Sequence, residues 1–175
     1  QITREDEYVV KPSGLGFSFK EQPELGKALK INRIERKEKD TSWTTVWGEE
    51  KQVKNHYKSL KVFMEETQEP NRKLNLEFRV YNDGVGFRYE FPEQDAMQDF
   101  IITAENTVFT MADDHRTWWN PDGEFYEHLY NDTPLNKVDS ASTPLTMKDS
   151  RELYISIHEA ALTDYAGMTL VRSDD

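Results

Sequence analysis

The 175-residue sequence contains no cysteine, so disulfide bonds and thiolate metal sites are both excluded. It also lacks any run approaching the roughly 20 consecutive apolar residues that a membrane-spanning helix needs, and its first residues contain no apolar signal-peptide core. A membrane partner is therefore not expected. The absence of cysteine leaves the cellular compartment open, because a protein of an oxidising compartment can fold without disulfides.

Positive charge is also scarce, with 22 Lys and Arg against 33 Asp and Glu and a formal net charge of −11. Such a balance argues against nucleic acid and an anionic membrane surface as natural partners. Much of the acidic excess is expected to form a solvated surface. No glycine-rich phosphate-binding loop or activated-serine motif is present.

Strict apolar and polar alternation is the strongest structural pattern. It runs from Leu74 to Val80 and again from Val85 to Phe91, with Asn82-Asp83-Gly84 between the two segments. This pattern predicts an antiparallel hairpin with one apolar face, in which Asp-Gly supplies the positive φ of a tight turn. No long segment has a helical period, so we expect one all-β, antiparallel domain that packs sheet on sheet.

A second alternating segment places a carboxylate on an apolar face. Leu153, Ile155 and Ile157 share one parity, and Glu159 continues it. If the extended backbone persists, Glu159 points inward and needs a partner such as a cation. In the alternative, the strand ends at His158 and a solvated Glu159 opens a short helical turn; the pattern alone favours this interpretation, because strand ends are poorly determined by sequence.

Aromatic residues mark two further candidate sites. Trp43 and Trp47 share one strand parity and could form a sugar-stacking platform, although packing in a core or between domains is favoured. The region from Ala112 to Thr146 predicts a long ordered loop that packs on the domain or on a missing neighbour, with sugar contact through the Trp118-Trp119 pair the less favoured reading. The segment Asp113-Asp114-His115 suggests a metal site by composition only, and we do not favour it.

Several motifs resemble the N-terminal domain of glycoside hydrolase family 97, the bacterial α-glucosidases and α-galactosidases. These motifs cover most of the chain from about Pro12 onward, and they are the segment Tyr154 to Tyr165 with Gly167-Met168, the block Arg79 to Phe91, the Trp118-Trp119 pair with Tyr126 and Tyr130, and the element Thr143-Pro144-Leu145-Thr146. The first two are fairly specific in combination.

The resemblance implies a fold for this chain and a catalytic barrel outside it. Residues 1–175 would form part, and an incomplete part, of an N-terminal galactose-mutarotase-like β-supersandwich, with the catalytic (β/α)₈ barrel absent from this chain. The catalytic carboxyl pair would lie on that barrel, so no catalytic residue is assigned here. Substrate preference and the retention or inversion of configuration are then expected to depend on barrel residues.

The resemblance further implies that Glu159 donates its carboxylate to a calcium ion in the active site, shared with the barrel. Ca²⁺ takes six to eight oxygen ligands, so Glu159 alone would bind it weakly or not at all, and His158 is expected to be a spacer or a structural hydrogen-bonding residue. The implied partners are the protein's own barrel and an oligosaccharide. The implied location is the periplasm of a Gram-negative bacterium.

Three functions stay open at this point. The first is the N-terminal domain of a calcium-dependent α-glycosidase, inactive by itself. The second is a non-catalytic carbohydrate-binding β-sandwich that uses Trp43, Trp47 or the Trp118-Trp119 pair. The third is a purely structural partner module.

Overall fold

A computed structural model describes residues 1–123 and 127–173. The chain forms two compact units: a continuous unit of residues 13–108, and a terminal unit of residues 1–12 with 109–175. The described residues form short and long β-strands and one 3₁₀ turn, in the chain order β1 Ile2–Arg4, β2 Glu7–Val10, β3 Phe17–Phe19, β4 Gln22–Leu25, β5 Leu29–Thr44, β6 Gln52–Glu66, β7 Lys73–Val80, β8 Val85–Glu90, β9 Ile102–Glu105, β10 Arg116–Trp119, β11 Asn131–Pro134, η1 Leu135–Lys137, β12 Ser140–Ser142, β13 Leu145–Lys148, β14 Tyr154–Ile157 and β15 Thr169–Val171.

The continuous unit consists of two antiparallel sheets that pack face to face. One sheet has the order β4-β3-β9 and the other the order β5-β6-β7-β8. Phe17 on β3 is 1% exposed, and its ring meets those of Tyr89 and Phe91 edge-on at centroid distances of 4.6 and 5.0 Å. Burying a side chain of this size contributes about 1.5–3 kcal/mol before entropy. The predicted antiparallel sandwich is therefore confirmed.

The hairpin of β7 and β8 is also confirmed, with Phe78 opposite Phe87 and Val80 opposite Val85. Its connection contains four residues, and the Tyr81 N–H donates to the Gly84 carbonyl at 2.8 Å. The predicted positive φ at Asp-Gly is wrong, since neither residue of that pair adopts one. A positive φ at both central residues belongs to two-residue turns, and this connection is longer.

The close approach of β3 and β4 depends on two glycines. A β-carbon at Gly16 would lie 2.6 Å from the Leu25 carbonyl oxygen, and Gly26 has a φ of +142° that side chains disfavour. Larger residues at either position would separate the backbones on which the Phe17 core depends.

Strands β5 and β6 extend beyond the rest of their sheet. The pairing of β6 with β7 begins at Lys58. Residues 39–44 of β5 and 52–57 of β6 therefore pair only with each other and project as a two-stranded ribbon. Trp43 and Trp47 lie at its end and are 51% and 88% exposed. A place in the core of this unit is therefore wrong, whereas packing against another domain stays a prediction. Period-two alternation identifies a face of a strand but not whether a second layer covers that face.

The terminal unit contains the sheets β1-β2, β11-β10-β13-β14 and β12-β15. Its core is formed by Val138, Ala141, Leu145 and Met147, with partly buried apolar residues packed around them. The predicted long loop from Ala112 to Thr146 is wrong, because this region contains β10, β11, η1 and β12. Segments such as Asn131–Pro134 are short, polar and without apolar alternation, so only their pairing with β10 reveals them as strands. Phe125 and Tyr126 lie outside the described residues.

No helix among the described residues has the length and apolarity that crossing a bilayer would require.

Candidate functional site

The candidate site lies at the end of β14, which forms a hairpin with β13. The register places Leu145 opposite Ile157 and Met147 opposite Ile155, and Met147 is completely buried. The predicted strand from Leu153 is therefore confirmed as an edge strand of the four-stranded sheet.

A buried carboxylate fixes the turn of this hairpin. Asp149 Oδ1 accepts hydrogen bonds from the backbone N–H groups of Arg151 at 2.8 Å and Leu153 at 2.9 Å, and Oδ2 accepts from the Arg151 Nε at 2.8 Å. Burial would raise the pKa of Asp149, but these hydrogen bonds and the guanidinium charge outweigh burial and hold the pKa below its ordinary value. The ionised Asp149 carboxylate therefore holds the turn that sets the register of β14 against β13.

Glu159 continues the inward face of β14 after the strand has ended. Leu153, Ile155, Ile157 and Glu159 are half-buried, whereas the residues between them are exposed. Residues 158–162 are in neither a strand nor a helix, and the alternative helical turn through Leu162 does not form. The strand therefore ends at Ile157, earlier than either interpretation placed its end. Glu159 nevertheless keeps the half-buried side of β14 and does not open a helical turn.

The Glu159 carboxylate is held by two neighbouring segments. Oε1 accepts a hydrogen bond from the Met168 backbone N–H at 2.6 Å, and Oε2 accepts a longer one from the Thr143 hydroxyl at 3.4 Å. Among the described residues, no lysine, arginine or histidine forms an ion pair with Glu159. A carboxylate offers about four acceptor positions, so the group retains acceptor capacity for a further ligand.

The same carboxylate borders an open concavity of about 490 Å³, which is lined by Thr143, Pro144, Ser156, His158 and Glu159. The Ser156 hydroxyl lies 3.3 Å from the Thr146 hydroxyl. The His158 Nδ1 lies 2.7 Å from the Glu159 carbonyl oxygen. The concavity therefore combines a carboxylate, hydroxyls and an imidazole from two segments, the one before β13 and the one at the end of β14.

Sequence reasoning assigned no role in the site to Thr143, Pro144, Ser156 or Met168. Thr143-Pro144 belongs to a motif that carried the family resemblance, and that match was the available signal. Met168 also belongs to a matched motif, but it contributes through its backbone N–H, which its residue type does not reveal.

Trp118 and Trp119 lie on opposite faces of β10. The Trp118 ring stacks on Tyr154 at a centroid distance of 6.0 Å and an interplanar angle of 16°, while the Arg116 guanidinium lies 5.0 Å from its centroid. Trp119 packs against the terminal-unit core, and its Nε1–H donates to the Thr133 hydroxyl at 3.0 Å. Their ring faces are thus largely engaged within the protein, which disfavours this pair as a sugar platform.

The segment Asp113-Asp114-His115 does not gather into a metal site. Asp114 accepts hydrogen bonds from the Asn136 backbone N–H at 2.9 Å and side-chain amide at 2.7 Å, and His115 is buried. Across residues 1–123 and 127–173, no group of three or more His, Asp or Glu side chains could hold a metal ion. Any metal near Glu159 would need further ligands from outside these residues.

The whole chain, residues 1–175, matches the family model described as glycosyl-hydrolase 97 N-terminal. A retaining α-galactosidase of Bacteroides thetaiotaomicron is 22% identical over 188 aligned residues, which cover 99% of this chain and 27% of that protein. A family 97 enzyme of Pseudoalteromonas sp. strain K8 has been solved with acarbose and, as an E480Q variant, with panose; it superposes with a TM-score of 0.93 at 34% identity, over 97% of this chain and 26% of that one. The chain therefore spans about a quarter of the length of these relatives.

Proposed function

The chain belongs to the family of glycosyl-hydrolase 97 N-terminal domains, and from this membership we propose that it is the N-terminal domain of an α-glycosidase that removes terminal α-glucosyl or α-galactosyl residues. The observation that carries the proposal is the half-buried Glu159 carboxylate, which borders the concavity without an ion-pair partner among the described residues. The domain would contribute this carboxylate to an active site whose catalytic acids lie on a (β/α)₈ barrel outside the chain.

Both hexoses belong among the candidate substrates. Curated relatives are called retaining α-galactosidases, whereas the Pseudoalteromonas relative was solved with panose and acarbose. Glycoside hydrolysis needs two carboxyl groups at a defined separation, and we assign neither of them to this chain. A periplasmic location stays a prediction from family resemblance.

We further propose that Glu159 is a ligand of a calcium ion shared with that barrel. The fit rests on the donor set: a hard cation prefers oxygen ligands, and within the described part of the chain Glu159 Oε2 is engaged only by the 3.4 Å contact with Thr143. The short bond from the Met168 N–H would hold the carboxylate in place while Oε2 stays accessible. When bound, the ion would supply a fixed positive charge near the substrate oxygens.

Hydrolysis of aryl α-glucoside and aryl α-galactoside by the full-length protein tests this function. We expect turnover of at least one substrate, loss of activity on chelation with recovery on adding calcium, and loss in Glu159→Gln. The matched control is Glu93→Gln, since Glu93 is an exposed carboxylate of the other unit. Full activity of Glu159→Gln would contradict the assignment of Glu159, and absence of turnover by the wild type would contradict the glycosidase function.

A carbohydrate-binding module is a second candidate, and the exposed end of the β5–β6 ribbon favours it. Trp47 is 88% exposed and Trp43 51% exposed, so both have ring surface available for stacking on a pyranose. In this case Trp43→Ala with Trp47→Ala would abolish oligosaccharide binding, while Glu159→Gln would leave it unchanged. Isothermal titration calorimetry with maltotriose and with raffinose separates the two candidates.

A further inference from the structure

The concavity beside Glu159 contains an imidazole to which the proposed function gives no task. His158 follows Ser156 by two residues on the exposed parity of β14, and both side chains line the concavity. Their position at the strand end places them next to the carboxylate rather than elsewhere on the sheet.

One ring nitrogen of His158 already has a partner. Nδ1 lies 2.7 Å from the Glu159 carbonyl oxygen, and a carbonyl oxygen can only accept a hydrogen bond. Nδ1 must therefore carry the proton and donate it, so in the neutral ring Nε2 has a free lone pair. This contact also limits rotation of the ring, because it ties the imidazole to the backbone of the next residue.

The polar neighbours indicate what Nε2 would meet. The Ser156 and Thr143 hydroxyls line the same concavity, as does the apolar ring of Pro144. Hydroxyl groups close to a small apolar surface suit a pyranose, which presents both O–H donors and C–H faces. A neutral imidazole is a poor ligand for a hard cation such as calcium, so a sugar hydroxyl is the better partner for Nε2.

We propose that His158 Nε2 accepts a hydrogen bond from a hydroxyl of the hexose bound beside Glu159, so that His158 is a substrate-binding residue rather than a spacer. This inference rests on the proposed function. It adds a contact from this domain to the substrate that is separate from the Glu159 carboxylate.

Two amide substitutions separate substrate contact from a structural role. In His158→Gln the amide reaches the position of Nε2, whereas in His158→Asn it reaches the position of Nδ1 and can still donate to the Glu159 carbonyl. We expect His158→Gln to keep most of the wild-type kcat/KM and His158→Asn to lose roughly 3- to 10-fold, the range that one neutral hydrogen bond supplies. The same ranking, with His158→Gln above His158→Asn, is expected for the affinity of the free product hexose, glucose or galactose, measured by calorimetry.

Wild-type behaviour of His158→Asn together with a loss in His158→Gln would assign the imidazole to holding the loop and overturn the proposal. Equal losses of kcat/KM in the two variants would also overturn it, since the acceptor that His158→Gln keeps at the Nε2 position would then not contribute to substrate binding. Thermal unfolding of both variants monitors folding. The product-binding measurement needs no turnover, and turnover by the wild type with loss in Glu159→Gln reports on the proposed function independently.

Discussion

Replacing Arg72 by methionine should destabilise the continuous unit more than removal of any exposed ion pair. Arg72 is completely buried, and its guanidinium donates to both carboxylate oxygens of Glu66 at 2.7 and 2.8 Å. It also donates to the carbonyl oxygens of Pro23 and Glu24 at 2.8 and 2.9 Å. One side chain thus ties β4 of the three-stranded sheet to the end of β6 in the other sheet.

The magnitude follows from what the substitution leaves behind. Arg72→Met removes the counter-charge of Glu66, which is 7% exposed, and leaves two backbone carbonyls without this donor. Breaking a buried ion pair from one side costs about 3–5 kcal/mol, a large share of the roughly 5–15 kcal/mol that stabilises a typical domain. The double variant Glu66→Gln with Arg72→Met should lose less than the sum of the single losses, because it removes both charges.

The pair also predicts a pH dependence. Burial alone would raise the pKa of Glu66, but the side-chain and backbone hydrogen bonds from Arg72, with its charge, outweigh burial and hold the pKa below the ordinary 4.5. A carboxylate whose pKa is lowered in the folded state stabilises the protein above the unfolded pKa and loses that contribution as pH falls through the folded value. The wild type should therefore lose stability below about pH 4.5, and Glu66→Gln should lose less over the same interval.

Urea denaturation followed by circular dichroism, with hydrogen exchange of peptides from residues 13–108, measures both effects in the unit concerned. A loss below about 1 kcal/mol in Arg72→Met would refute this account of the pair, because that is the range of an exposed ion pair. So would a pH profile of Glu66→Gln that matches the wild type.

Three further substitutions test other parts of the molecule. Phe17→Ala should destabilise the continuous unit by about 3–5 kcal/mol in urea denaturation, because it empties a core position that is 1% exposed. Asp149→Asn should cost about 1–3 kcal/mol, since it weakens the acceptors for the Arg151 and Leu153 N–H groups; unchanged hydrogen exchange around β14 would contradict this. Trp47→Ala should change stability by less than about 0.5 kcal/mol, because its ring is 88% exposed, and a larger loss in thermal unfolding would show that the tip is packed.

Sequence reasoning succeeded where an alternating pattern lies on a strand whose apolar face is covered by a second sheet. The alternation from Leu74 to Val80 predicted a strand because one of its faces packs against β3 residues such as Phe17. It failed for Trp43, where the pattern was the same but no second layer covers the ribbon among the described residues. It also failed for β10 and β11, whose strand conformation depends on long-range pairing such as Trp118 with Asp132. Alternation reports periodicity along the chain, and pairing partners and covering layers lie elsewhere in the sequence.

Glu159 and Glu66 show how the surroundings of a carboxylate separate stability from function. Both are withdrawn from solvent to some degree, but Glu66 has a guanidinium that satisfies both of its oxygens. Glu159 has one short backbone hydrogen bond, one long hydroxyl contact and no cation among the described residues. A charge in the first arrangement is satisfied by the domain itself, whereas in the second it keeps capacity for a ligand from outside. Substituting Glu159 by glutamine should therefore leave the unfolding of this chain nearly unchanged, and a large loss of stability there would argue that the carboxylate serves the fold instead.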